Sequence, residues 1–171
     1  MAREQNFRKL VAHLATANAG ATTLFSIDTL GWDYATVDVI NTAAAATNTS
    51  NQFTSLVLQD GTTTDASNMT AISGATGTSG TAAATQFSMP INNNTSFPSV
   101  VTFAVPLGDK ERYLGVTLET ADTNHDDVCI LATLTRGDSV LQTDAGHFAN
   151  GTAAIADDGT TTVGSTMVAL A

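Results

Sequence analysis

The chain has 171 residues, of which 43% are hydrophobic and only 13% are charged, and its formal net charge is -10. Thr and Ala together make up about a third of the residues, so the polarity comes mainly from hydroxyl groups. This composition excludes a charge-rich disordered tail and a helical bundle, and it fits one domain with or without arms. No apolar run approaches the roughly 20 residues of a membrane span, and the N-terminal residues lack the apolar core of a signal peptide. We therefore expect a soluble protein that is made in the cytosol and has no membrane partner.

The N-terminal residues carry an apolar stripe. Phe7, Leu10, Val11 and Leu14 follow the i, i+3, i+4, i+7 spacing of one helix face. This spacing predicts a helical N-terminal arm within residues 1–20. Because a helix of about four turns with one apolar stripe is unstable alone in water, we expect it to dock on its own domain or on a neighbouring subunit.

Residues 21–136 show short β-like runs separated by Gly, Asn, Asp and Ser clusters. Eight strands are predicted: Thr22–Ile27, Tyr34–Ile40, Phe53–Gln59, Asn68–Ile72, Thr85–Met89, Val100–Pro106, Tyr113–Glu119 and Val128–Thr135. The fold class is therefore all-β, an antiparallel β-sandwich or jelly roll, because connections of this length leave little room for crossover helices. The last run is largely apolar on both faces, which predicts a central strand covered on both sides.

Two low-complexity segments, Asn41–Asn51 and Gly74–Thr85, are predicted to be surface loops. Residues 137–171 contain few apolar side chains, which predicts an extended C-terminal arm or a pair of edge strands. The apolar residues of the two arms are the candidate interface residues: Phe7, Leu10, Val11, Leu14, Phe148, Val168 and Leu170.

The string Asp122–Asp127 places oxygen atoms at alternate positions, as the opening of a calcium-binding loop does. It departs from that pattern at position six, where Asp127 replaces the glycine, and at position twelve, where Thr133 replaces the glutamate. We expect a solvated acidic hairpin and no metal site, with a bound cation as the alternative. No ligand spacing joins the three histidines, which are His13, His125 and His147.

No nucleophile elbow, phosphate-binding glycine loop or catalytic carboxylate pair occurs in the sequence, so we expect neither an enzyme nor a cofactor. The single cysteine, Cys129, cannot close an internal disulfide. Three of the six basic residues, Arg3, Arg8 and Lys9, lie among the first ten positions. The remaining chain has no basic stripe, and we therefore expect no nucleic-acid partner.

The single tryptophan, Trp32, stands in a turn that leads into a strand. In a carbohydrate-binding module such an aromatic ring would form an exposed platform for a sugar. A tryptophan beside a turn is more often a plug that packs on the core, and this is the interpretation we favour.

Two strings resemble a pattern in small structural proteins of tailed bacteriophages. The first, Ile27–Val39, contains Asp28-Thr29-Leu30-Gly31-Trp32, similar to an Asp-Thr-x-Gly-Tyr turn that opens a strand, with Trp32 in place of the tyrosine. The second, Lys110–Leu118, contains an Arg-Tyr pair that begins a strand late in the domain. Together they contain 22 of the 171 residues, which is about an eighth of the chain.

The resemblance implies a capsid decoration (cement) protein or a related minor head protein, made in the host cytoplasm. Such proteins bind the exterior of the capsid, often as homotrimers, and brace the shell against packaged DNA. The implied partners are the major capsid protein and further copies of the chain, and no catalytic residue is carried over. A tail-tube or fibre protein and a carbohydrate-binding module are the alternatives.

Overall fold

The computed structural model describes residues 8–17, 23–41, 53–65, 68–78, 83, 85–89, 99–120, 126–136, 153–154 and 165–170. Eleven strands occur in this part of the chain: β1 (Arg8–Ala17), β2 (Thr23–Asp28), β3 (Tyr34–Asn41), β4 (Phe53–Gly61), β5 (Thr70–Thr78), β6 (Gln86–Ser88), β7 (Ser99–Pro106), β8 (Tyr113–Thr120), β9 (Asp126–Thr135), β10 (Ala153–Ala154) and β11 (Ser165–Ala169). All eight predicted strands are confirmed; the bounds of seven shift by two residues or fewer, whereas β5 ends at Thr78 and not at the predicted Ile72.

The strands form two sheets. The six-stranded sheet has the order β1-β9-β3-β7-β11-β10, and the five-stranded sheet has the order β2-β8-β4-β5-β6. Without β6, β10 and β11, each sheet contains four antiparallel strands, and the strand order is that of a jelly roll. The expectation of purely antiparallel sheets is wrong at two ladders, since β5–β6 and β7–β11 are parallel.

The two sheets pack face to face around one apolar core. Strand β3 illustrates this packing. Its residues alternate between half-buried and buried along the whole strand, as they must in a sheet that has one face on the core. Phe87 of β6 and Phe103 of β7 meet across the two sheets edge to face, with their ring centroids 5.5 Å apart. Below, "inner" means facing this core and "outer" means the opposite side of either sheet.

The helix predicted within residues 1–20 is wrong in the part that the structure describes, where Arg8–Ala17 forms strand β1. Leu10 and Leu14 are four positions apart, which is one helical turn but also an even number, so a strand places both on the same face. Val11 lies on the other face, where it packs against the core. The ladder to β9 supplies the backbone hydrogen-bond partners that keep this segment extended.

The loop predicted for Gly74–Thr85 is wrong for residues 74–78, which belong to β5. Small residues are needed there because β5 lies close to its neighbours. Ala75 is fully buried, and a Cβ on Gly77 would lie 2.6 Å from Met89 Cγ and 2.8 Å from Phe87 Cζ. Low complexity in this segment therefore reflects close packing rather than solvent exposure.

The C-terminal strands join the six-stranded sheet, where β11 pairs with β7 and β10 pairs with β11. Val168 and Leu170 are 1% and 8% exposed and belong to the chain's own core. The interface role expected of these two residues is corrected accordingly, because neither offers an exposed surface to another chain.

Candidate interaction surface

Strand β1 places its two leucines on the outer side of the six-stranded sheet. In the β1–β9 ladder Leu10 lies opposite Thr133 and Leu14 lies opposite Cys129. Their side chains are 63% and 75% exposed, so most of their apolar surface faces solvent. Burying such side chains is worth about 1.5 to 3 kcal/mol each, which makes this pair a candidate contact site.

The apolar surface continues from β1 across the neighbouring strands. Backbone register places Cys129 opposite Ile40 and Ile40 opposite Val100, and all three side chains are half-buried. We call this surface the outer apolar patch and define it as Leu10, Ala12, Leu14, Ile40, Val100, Cys129 and Leu131. Polar side chains border it, and two of them satisfy each other, since Thr102 Oγ1 donates to Asp38 Oδ1 over 2.6 Å.

The outer face of the five-stranded sheet is different. It carries hydroxyl, amide and carboxylate groups at Ser26, Ser55, Gln59, Thr76, Thr117 and Glu119, together with the apolar side chain of Val57 and that of Met69, which covers Gly115. Gln59 Nε2 donates to Thr117 Oγ1 over 3.0 Å, so these groups also bond to one another. Polar groups of this kind can remain hydrated, whereas covering the outer apolar patch with another surface lowers the free energy.

The second region with organised side chains is the turn cluster, formed by residues 28–33 with Arg112, Tyr113 and Arg136. Trp32 N donates to Thr29 O over 3.0 Å, which closes a β-turn, and Gly31 has a φ of +80°. A positive φ at this third position is typical of a type II turn and favours glycine. Thr29 fastens the turn to the five-stranded sheet, because its N and Oγ1 both donate to Arg112 O.

An ion pair links the two strings on which the phage resemblance rests. Arg112 donates from Nε to Asp28 Oδ1 over 3.1 Å and from a terminal nitrogen to Asp28 Oδ2 over 2.7 Å. Asp28 Oδ1 also accepts from Leu30 N over 3.0 Å. The hydrogen bond from Arg112 lowers the pKa of Asp28 to about 2, and the same bond raises the pKa of Arg112. The two strings are therefore neighbours at one end of the sandwich.

Trp32 does not form an open platform. It is half-buried and packs against the core, as the plug interpretation predicts. The Arg136 guanidinium carbon lies 5.7 Å from the ring centroid, and Arg136 Nε donates to Gly31 O over 2.6 Å. One side of the indole is thus occupied by a guanidinium group that the turn itself holds in place.

The structure separates the remaining candidate residues. Val11 is half-buried against the core, while Phe7 and Phe148 lie outside the described residues. Most of the acidic string, residues 122–125, also lies outside them, as do two of the three histidines. The described histidine, His13, stacks on Phe25 with the ring centroids 5.2 Å apart and so connects the two sheets.

Sequence reasoning missed five members of the outer apolar patch: Ala12, Ile40, Val100, Cys129 and Leu131. A signal was present, because β9 alternates between two apolar sets and thus offers an apolar outer face as well as an inner one. That pattern predicts a strand covered on both sides, yet the outer side chains of β9 are only half-buried in the chain alone. Strand β9 lies inside its sheet, between β1 and β3, as a central strand does, but the prediction that both of its faces are covered is wrong for the outer side chains that the structure describes.

In the described residues, no three His, Cys, Asp or Glu side chains come together in a way that could hold a metal ion. The described residues contain no helix that is long and apolar enough to cross a membrane. Comparisons with protein families, with curated proteins and with solved structures find no match to this chain.

Proposed function

We propose that this chain is a structural protein of a tailed-phage virion that decorates and stabilises the outer surface of the capsid. It acts through contacts with the major capsid protein and with further copies of itself, and it has no catalytic activity, cofactor, nucleic-acid partner or membrane partner. The observation that carries the proposal is the difference between the two outer faces of the sandwich. One face carries mainly polar groups beside Val57 and Met69, whereas the other exposes Leu10 and Leu14 within the outer apolar patch, and an uncovered patch of this kind suits a protein that assembles.

Three further features support the proposal. The strand order is that of a jelly roll, an arrangement used by viral capsid domains and by lectins. The net charge of -10 opposes contact with packaged DNA, so an anionic protein is better placed outside the shell than inside it. The two strings that resemble phage head proteins also form one ion-paired unit rather than two unrelated segments.

The lectin interpretation of the same fold is less well supported. It needs an exposed aromatic platform, whereas Trp32 packs on the core under Arg136. The tail-tube or fibre alternative shares the β-rich, Thr-rich composition, and it differs in where the protein sits on the particle.

Immunogold electron microscopy distinguishes these positions. Antibodies raised against the purified chain are applied to intact, density-purified particles from the source culture, beside particles treated with pre-immune serum. We expect gold on the heads of unbroken particles, because a decoration protein is accessible without opening the shell. Gold confined to tails would support the tail alternative, and absence of the chain from the particles by mass spectrometry would overturn the proposed function.

A further inference from the structure

Strand β1 has few of the features that normally protect a sheet edge, since its charged residues, Arg8 and Lys9, are confined to its first two positions. In the described sheets it is an edge strand of ten residues, and it pairs with β9 through ten consecutive residue pairs. Proteins usually protect an edge by shortening it, or with a proline, a bulge or charged side chains. The edge strands β6 and β10 have only three and two residues, but β1 is long and regular, with no charged residue after Lys9.

We propose that β1 pairs with β1 of a second copy of this chain, antiparallel, with Ala12 opposite Ala12 on a two-fold axis. Nine residues, Arg8–Thr16, then lie in the new ladder, and the two six-stranded sheets become one continuous sheet. This pairing rests on the residues of β1 and of the strands beside it, and not on the proposed function. It gives a dimer, where the phage resemblance implies a homotrimer.

The register follows from the two exposed leucines. With Ala12 on the axis, Leu10 of each copy lies opposite Leu14 of the other, and all four side chains are on the same outer face. Directly opposite residues in antiparallel strands have Cβ atoms about 4.5 to 5.5 Å apart, so each leucine covers its partner. Placing Leu10 on the axis would set Leu14 opposite residue 6, and placing Leu14 there would set Leu10 opposite residue 18, both beyond β1.

The charges of β1 and β9 agree with this register. Each copy carries a net charge of -10, so association needs favourable local charge to offset the long-range repulsion. Arg8 of one copy takes the position opposite Thr16 of the other, and Thr16 pairs with Asp127 in the β1–β9 ladder. In the paired sheet, position 8 of one copy and position 127 of the other therefore lie in the same row across the strands, with position 16 between them. A basic residue of each copy is thus two strands away from an acidic residue of the other. The same axis joins the two outer apolar patches into one surface.

A charge-swap series tests both the interface and its register by sedimentation equilibrium of the full-length chain. We expect a wild-type dimer, and we expect L10K/L14K to raise its dissociation constant about tenfold or more, because the lysines face each other. L10K/L14E should restore the dimer, since each introduced lysine then faces an introduced glutamate. L30K is the matched control, because Leu30 is a 67% exposed leucine outside the patch, and it should leave the dimer unchanged.

Circular dichroism melting of each variant establishes that the fold is retained, which is expected because both leucines are largely exposed. A monomeric wild type at all concentrations, a trimer, or a dimer that L10K/L14K leaves intact would overturn the pairing. Failure of L10K/L14E to restore the dimer would overturn the register. None of these measurements involves phage particles, so their failure is separate from failure of the proposed function.

A cysteine cross-link provides a second, independent measurement. In a C129S background, A12C should form a disulfide-linked dimer on mild oxidation, because residue 12 faces itself and opposite Cα atoms lie within disulfide range. L10C in the same background is the control and should not cross-link, since its opposite residue is a leucine. Equal cross-linking of the two variants would contradict the two-fold register.

Discussion

Strand β1 and the turn Asp28–Asp33 both stand out in the sequence, yet only the turn forms as its residues suggest. The turn is fixed within a few residues by the carboxylate of Asp28, which accepts from Leu30 N, by the hydrogen bond from Trp32 N to Thr29 O and by the positive φ of Gly31. The state of β1 depends on a ladder to β9, which lies more than 100 residues further along the chain. Structure that neighbouring residues fix can therefore be predicted from the sequence. A short apolar stripe is compatible with both the helical and the strand period, and only the strand that pairs with it decides between them.

The largest expected difference in the free energy of unfolding is between a substitution on the inner face and one on the outer face of the β1–β9 pair. Ile130 is fully buried and lies opposite His13 on the inner side, whereas Leu14 on the outer side is 75% exposed. We expect Ile130→Ala to reduce the free energy of unfolding by about 2 to 5 kcal/mol, because it leaves a cavity in the core. Leu14→Ala should change it by no more than about 0.5 kcal/mol. Urea unfolding should be measured at concentrations where the protein is monomeric.

A loss of less than about 1 kcal/mol for Ile130→Ala would mean that β9 is not the central strand described above. A large loss for Leu14→Ala in the monomer would mean that its side chain is buried within the chain, and the comparison between the two sides would fail.

The turn should show a smaller but specific effect. Gly31 has a φ of +80°, and a Cβ there would lie 2.7 Å from a terminal nitrogen of Arg136. Alanine at a positive φ costs about 1 to 2 kcal/mol, so Gly31→Ala should lower the free energy of unfolding by about that amount. Gly108→Ala is the matched control, because a Cβ at that position would meet nothing within 4 Å and its φ is not in the positive range. Thermal melting of both variants checks this, and equal losses would show that the Gly31 turn is not strained by a side chain.

Much of the fold could be predicted from the sequence because most strands have a strict two-residue period. Val37 lies between Thr36 and Asp38, and that alternation predicts both the strand and its core-facing side. The pairing of strands could not be predicted, because the ladder between β3 and β9 joins residues that nothing local links. The same limit explains β1, whose partner strand decides between helix and strand.

The candidate interaction surface was only partly predictable for a similar reason. The apolar spacing marks Leu10 and Leu14 as residues of an arm, and the structure places them at an exposed edge. The sequence pattern assigns Ile40 and Val100 to strands but not to a face, since the register that brings them beside Cys129 is a property of the sheet. Val168 is apolar like the others, yet it belongs to the core because β11 lies beside β7.

The smallest expected effect concerns the ion pair that fastens the turn to β8. The guanidinium of Arg112 lowers the pKa of Asp28 from 3.8 to about 2, so the folded state favours the ionised carboxylate. This contribution to stability is fully present above about pH 4 and is lost as the pH falls toward about 2. Near pH 7 the pair contributes little, because both side chains are 40% or more exposed.

Asp28→Asn should therefore leave the melting temperature nearly unchanged at neutral pH and flatten its decline between about pH 4 and pH 2. The asparagine keeps an oxygen that can accept from Leu30 N, so the turn itself should persist. Asp109→Asn is the control, because Asp109 pairs with the adjacent Lys110 and that pair can also form in the unfolded chain. Its loss should leave the acid slope close to that of the wild type. Identical acid slopes for Asp28→Asn and the wild type would show that the carboxylate and Arg112 do not pair in solution, and the turn would then be held by Thr29 and Gly31 alone.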